Sequence, residues 1–224
     1  MTVTFVTGTD TDVGKTIATA ALVVRARALG GSPYVIKPAQ TGVLAGESGD
    51  LETVRRLTGG VPGHVGMRLR DALAPVAAAR LEGASLPTLD EQLRILRHNA
   101  QWYDATHVEG AGGLLVELGE GFGLLELADA AADAGIEVAF VVVARSGLGT
   151  LNHTMLTVNA IRDRGHTVSG VVIGSMPSEP DLATQGNLED LPRLTGVPIL
   201  GVIPEGVGAL SPAVFQAAAP SWFS

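Results

Sequence analysis

The chain has 224 residues, 46% of them hydrophobic and only 4% aromatic, so it is read as one domain with an aliphatic core. A formal charge of −8 argues against nucleic acid as a partner, which needs clustered Lys and Arg. The lack of cysteine excludes disulfides, thiolate metal sites and cysteine nucleophiles. No apolar run is long enough to span a membrane, and no Lys or Arg precedes Lys15. No membrane partner and no secretory signal are therefore expected, and the expected compartment is the cytoplasm.

In chain order, β-branched runs alternate with longer Ala- and Leu-rich stretches. Strands are expected over 2–6, 34–36, 105–108, 138–143, 168–173 and 199–202. Helices are expected over 15–29, 51–58, 75–81, 89–100, 151–164 and 187–195. Gly30-Gly31 and Gly165 stand where left-handed helix ends belong. Residues 59–87, rich in Gly and Pro, read as an insertion over the sheet. The implied fold class is α/β: one mainly parallel sheet flanked by helices on both faces.

The first strand runs directly into Gly8-Thr9-Asp10-Thr11-Asp12-Val13-Gly14-Lys15-Thr16. A strand, a glycine loop and Lys-Thr opening an Ala-rich helix is how a phosphate-binding loop is built. Its N–H groups and the helix N-terminus receive a polyphosphate, Lys15 reaches the β- and γ-phosphates, and the Thr16 hydroxyl can ligate Mg²⁺. Five residues separate the glycines here, where the common pattern has four.

Ligands of an open parallel sheet bind beyond the carboxyl ends of its strands, and the polar residues of this chain gather there. Glu109, before Gly110-Ala111-Gly112-Gly113, reads as a Mg²⁺ carboxylate beside backbone that can approach phosphate, or as a strand-terminal residue before a turn. Asp50 reads as a second Mg²⁺ carboxylate or as a helix N-cap. Thr16, Asp50 and Glu109 together suit Mg²⁺, which takes few carboxylates and completes its shell with phosphate and water. Lys37, expected at a strand end, either points into the cleft to stabilise moving charge or snorkels at the surface. In the cleft it should matter for turnover rather than for folding. Thr41 positions a substrate or stabilises a turn. The connection Gly147-Leu148-Gly149-Thr150-Leu151-Asn152 opens a helix and either holds a carboxylate or is an ordinary turn. The five histidines have no metal-ligand spacing.

Taken together, the lengthened loop, Lys37-Pro38 with Thr41-Gly42, Asp50, Val108-Glu109-Gly110-Ala111-Gly112-Gly113, and Gly147 through Asn152-His153 to Leu156-Thr157 resemble the dethiobiotin synthetases over nearly the whole chain. The resemblance implies a single P-loop NTPase domain over residues 1–224. It implies a cytoplasmic homodimer with shared active sites that closes the ureido ring of dethiobiotin from 7,8-diaminononanoate, CO₂ and ATP. Lys15, Lys37 and Thr11 would be catalytic. Asp12, Val13, Gly14, Lys15, Thr16, Ile17, Asp50, Glu109, Gly110, Ala111 and Gly112 would hold nucleotide and Mg²⁺. Gly174, Ser175, Pro204, Glu205 and Gly206 would form the rim around the base. Substrate would meet Thr11, Lys37 and Thr41, and its carboxylate would meet Gly147, Leu148, Gly149, Thr150 and Asn152 of the partner. Thr41 and Asp12 stand where the family commonly has Ser and Glu. Gly174-Ser175 replaces an Asn-Asp pair that reads adenine, so weak selectivity for ATP over other nucleoside triphosphates is expected. The alternative is a nucleotide-switched ATPase of the partitioning type, but the early lysine of that class is Thr9 here.

Overall fold

Strands separated by helical stretches can pair in parallel only through crossovers. The computed structural model, which describes residues 2–224, has that form. Strands β1 (Thr2–Gly8), β2 (Pro33–Gln40), β3 (Gly63–Arg68), β4 (Ala105–Gly113), β5 (Glu137–Ala144), β6 (Thr167–Met176) and β7 (Ile199–Pro204) make one sheet. Their order is β3-β2-β4-β1-β5-β6-β7, with every pair parallel. The helices are α1 (Lys15–Ala28), α2 (Asp50–Thr58), α3 (Pro75–Glu82), α4 (Leu89–Ala100), α5 (Leu124–Asp133), α6 (Thr150–Asp163), α7 (Leu182–Thr195) and α8 (Pro212–Ala218).

The core is two aliphatic layers, one on each face of the sheet. Leu96, Leu127, Ile161 and Leu191 bring α4, α5, α6 and α7 against Phe5 and Phe140. Val23, Leu57 and Phe215 bring α1, α2 and α8 against Val6, Val141 and Val143. Burying each such side chain is worth roughly 1.5–3 kcal/mol, and the central strands are apolar on both faces because both are covered.

Three expectations need correction. Residues 59–87 are not only an insertion: β3 forms the sheet edge there, hidden in the sequence by Gly63 and Gly66. A Cβ at Gly66 would lie 2.4 Å from the Pro38 carbonyl oxygen, so close strand packing excludes the β-branched residues that mark a strand. Helices α5 and α8 were not anticipated, and α7 begins at Leu182, five residues early, because Asp181 caps it by accepting from Thr184 N at 2.7 Å. Lastly, β2 and β4 run past the anticipated ends, so Lys37 and Glu109 lie inside strands.

That last difference creates the site. Strands β2 and β4 pair as far as Ile36 opposite Val108. Beyond this point β2 continues beside β3 alone, and β4 stays with β1. The next residues, Lys37 and Glu109, face each other across the widening gap.

Candidate active site

The chain leaves β1 through the glycine loop, where Asp12 and Gly14 take left-handed φ values of 57° and 93°. Thr9 N donates to Val143 O at 3.0 Å, which ties the loop to β5. Gly14 caps α1, so the unpaired N–H groups of the helix start open toward the cleft. The loop rests on β6 through two glycines. A Cβ at Gly174 would lie 1.9 Å from Val13 O, and one at Gly14 would lie 2.6 Å from Gly174 O. Only glycine fits at either place.

The cleft above the loop measures about 380 Å³ and is lined by Thr11, Asp12, Gly14, Lys15, Thr16, Lys37, Ala39, Gln40, Thr41, Asp50, Ala111 and Gly112. Buried Lys37 forms its centre. Its Nζ lies 2.6 Å from Asp50 Oδ2 and 3.0 Å from Glu109 Oε1, and donates to Gly110 O at 2.8 Å. Thr16 Oγ1 donates to the same Glu109 oxygen at 3.1 Å. Asp50 is the first residue of α2 with Gly49 at the N-cap, so its carboxylate serves the cleft rather than the cap. Gln40 Oε1 holds that turn by accepting from Asp50 N at 2.8 Å.

Charges set the ionisation of this group. Burial alone would lower the Lys37 ammonium, but Glu109 and Asp50 outweigh it and hold its pKa above the usual lysine value. Burial would raise the Asp50 carboxyl, yet Lys37 prevails and holds it low. Lys15 has no such partner. Its Nζ donates to the Asp10 carbonyl at 2.9 Å, and burial, reinforced by the Lys37 charge, pulls its pKa down.

The second oxygen of Glu109, Oε2, is buried and has no hydrogen-bond partner. An orphaned buried carboxylate oxygen is costly, and a divalent cation held by Glu109, Asp50 and the Thr16 hydroxyl would satisfy it. The donor set is all oxygen and carries two carboxylates, which suits Mg²⁺ completed by phosphate and water. No cluster of three or more His, Cys, Asp or Glu capable of holding a metal occurs among the described residues.

Most of the remaining anticipated residues fall in two places outside the cleft lining. Ser175, Pro204, Glu205 and Gly206 form a rim at the ends of β6 and β7, joined where Glu205 N donates to Met176 O at 2.8 Å. Ile17 reaches toward this rim, with its Cδ1 3.0 Å from the Cβ position of Gly208. Gly174 lies deeper, buried beneath the loop. Gly147, Leu148, Gly149, Thr150 and Asn152 turn from β5 into α6, with Leu148 87% exposed. Val13 is core, and Gly110 serves Lys37 with its carbonyl. Three residues were missed in the sequence. Gln40 lies in the same polar strand end as Lys37, which was a signal. Asp10 and Arg145, paired at 2.8 Å, are 135 positions apart, and nothing local links them. No helix is long and apolar enough to cross a membrane.

Comparison with known proteins shows the family. The family described as "AAA domain" matches residues 2–208. The chain is 49% identical to the ATP-dependent dethiobiotin synthetase BioD of Rhodococcus jostii over all of this chain and 95% of that one. It is 44% identical to the protein of that name from Streptomyces coelicolor, over 100% and 92% of the two chains. Among solved structures, the septum site-determining protein MinD complexed with Mg-ADP from Pyrococcus horikoshii superposes with a TM-score of 0.58 at 15% identity, covering 100% of this chain and 87% of that one, which shows a shared fold. With full-length identity of this order to curated relatives, the chain belongs to the dethiobiotin synthetase family.

Proposed function

We propose that the chain, as a single domain, is a nucleoside-triphosphate-dependent dethiobiotin synthetase. One amine of 7,8-diaminononanoate takes up CO₂ as a carbamate, losing a proton. A carbamate oxygen attacks the γ-phosphorus, the nucleoside diphosphate leaves, and a carbamic–phosphoric anhydride forms. The second amine attacks the carbonyl carbon, phosphate is expelled, and the ureido ring closes. The observation that carries this reading is the Lys37–Asp50–Glu109 cluster beside Thr16, in the cleft that opens from the phosphate-binding loop.

The chain's side chains supply position and charge rather than a nucleophile, since the substrate brings its own. Loop amides and Lys15 bind the β- and γ-phosphates. Lys37 stabilises charge on the transferring phosphoryl group and the carbamate, and Thr11 and Thr41 orient the carbamate and amines. Asp12, Val13, Ile17 and the Gly110-Ala111-Gly112 backbone complete the nucleotide cradle. Bound at Thr16, Asp50 and Glu109, Mg²⁺ would supply charge neutralisation for the phosphates. We further infer a homodimer in which the turn from Gly147 to Asn152 of one chain receives the substrate carboxylate of the other, and a cytoplasmic location. Neither nucleic acid nor membrane is a partner.

Nucleotide turnover by the purified protein tests the reading. Nucleoside diphosphate should appear only when both the diamine and CO₂ are present, with dethiobiotin formed in equal amount. Hydrolysis at full rate without them would indicate a nucleotide switch instead.

A further inference from the structure

Arg145 follows the last residue of β5, and its Nη2 donates to Asp10 Oδ2 at 2.8 Å. Asp10 Oδ1 accepts from Thr11 N at 2.8 Å, and the Asp10 carbonyl accepts from Lys15 Nζ at 2.9 Å. One aspartate therefore joins the β5–α6 connection, the loop backbone and the phosphate-binding lysine. The backbone that follows Arg145 is anchored as well. Asn187 of α7, itself buried, donates to Ser146 O at 2.8 Å and to Gly147 O at 3.1 Å, which anchors the segment that carries it.

Asp10 lies within the phosphate-binding loop but is not among the residues lining the cleft. A carboxylate at that place opposes a polyanionic ligand, because the field of a nearby charge adds directly to its binding free energy. The guanidinium at 2.8 Å cancels this charge and fixes the side chain on the β5 side of the loop.

We propose that Arg145 is a positioning residue of the nucleotide site: it neutralises Asp10 and pins it away from the cleft, so that the loop amides and Lys15 meet the phosphates without a competing negative charge. Because Arg145 opens the connection that ends in the turn from Gly147 to Asn152, the same ion pair links the nucleotide loop to the turn assigned above to the substrate carboxylate. The inference rests on the nucleotide-dependent reading of the site. Both side chains are about half exposed, at 45% and 53%. An exposed pair of this kind adds little to folding, which separates its effect on binding from any effect on stability.

A double-mutant cycle on Mg-ATP affinity, measured by titration calorimetry beside thermal melts, decides the matter. Arg145→Ala should weaken binding about tenfold at low salt, and less as salt rises and screens the freed charge. The melting temperature should stay at the wild-type value, and Arg145→Lys should recover most of the affinity. Asp10→Asn keeps an acceptor for Thr11 N and removes the charge, so it should bind at least as tightly as wild type. In that background, Arg145→Ala should change affinity by less than about twofold, the signature of coupled residues. Wild-type affinity in Arg145→Ala, or an equal loss in both backgrounds, would overturn the assignment. Should the wild-type protein bind no nucleoside triphosphate at all, the proposed function falls along with it; wild-type binding with an additive cycle removes the role of Arg145 alone.

Discussion

At the scale of single residues, burial changes what the key side chains do. Lys37 was expected to matter for turnover alone, yet it is 3% exposed and is the ion-pair partner of buried Glu109. Removing one member of a buried pair leaves the other charge uncompensated and costs about 3–5 kcal/mol. Lys37→Ala is therefore expected to lower the melting temperature by several degrees as well as to abolish synthesis; an unshifted melting curve would show that the pair contributes nothing. Gly174 stands where an adenine-reading amide was expected in related enzymes, and here it is wedged under Val13. Gly174→Ala must push the loop backbone away, so stability should fall by about 1–3 kcal/mol, as overpacking typically costs, and nucleotide affinity should fall too. Calorimetric melts and nucleotide titration measure both, and a well-folded variant that binds normally would refute the wedge. With no side chain at 174, the proposed reading leaves base recognition to Ser175 and to the rim from Pro204 to Gly206. We expect CTP, UTP and GTP to compete with ATP within about tenfold, because the bidentate contact that gives about 1–3 kcal/mol of base discrimination is lost; a hundredfold preference for ATP in competition binding would place the selectivity elsewhere on the rim.

At the scale of elements, the first half of β4 has a buried polar residue that the proposed chemistry does not use. His107 is buried in the sheet, and neither ring nitrogen has a hydrogen-bond partner. Burial lowers its pKa from 6.5 to about 4, so it is neutral in the folded chain at neutral pH. The unfolded chain takes up a proton at this residue near pH 6.5 and the folded chain only near pH 4, so protons favour unfolding in between. Stability should thus be full above pH 6.5, fall as the pH drops toward about 4, and lose about 3 kcal/mol from this residue across the window. Denaturant titrations of wild type and His107→Leu at several pH values test this: the substitution should flatten the slope between pH 6.5 and 4, and equal slopes would refute it. The same strand shows how far the sequence can be read. Its β-branched start identified it as a strand, but its run past Val108 depends on losing β2 as a neighbour while keeping β1. Likewise β3 is invisible to pattern reading, because the two glycines that let it approach Pro38, Leu51 and Gln92 erase the usual signal.

At the scale of the whole molecule, the surface carries exposed apolar residues. Leu115 and Leu156 line one apolar groove of about 360 Å³, and Leu148 projects from the turn that begins α6. An exposed apolar groove of this kind marks an interaction surface, which supports the proposed dimer. If each site combines the phosphate-binding loop of one chain with Asn152 of the other, mixed inactive variants should complement. Lys15→Ala is a cleaner partner than Lys37→Ala, since it leaves the Glu109 pair intact. Unfolding and co-refolding equal amounts of Lys15→Ala and Asn152→Ala chains should restore about a quarter of wild-type activity, because half the dimers are hybrids with one intact site each under two-fold symmetry. No recovery above the separate variants, or a fully active monomer by light scattering, would refute the shared site.

The sequence by itself determined what depends on neighbouring residues. The strand–glycine loop–Lys-Thr signal, the parallel α/β class and the candidates Thr16 and Glu109 follow from backbone preference, apolar periodicity and residue chemistry within short windows, whereas Lys37 and Asp50 were singled out by the resemblance to the dethiobiotin synthetases. Whether those candidates meet could not be read there. Lys37 and Glu109 are 72 positions apart, and Arg145 and Asp10 are 135. Their meeting depends on strand order, on the point at which β2 leaves β4, and on how close the backbones approach at Gly174 and Gly66. Those features result from balancing packing over the entire sheet, and only the tertiary structure decides that balance.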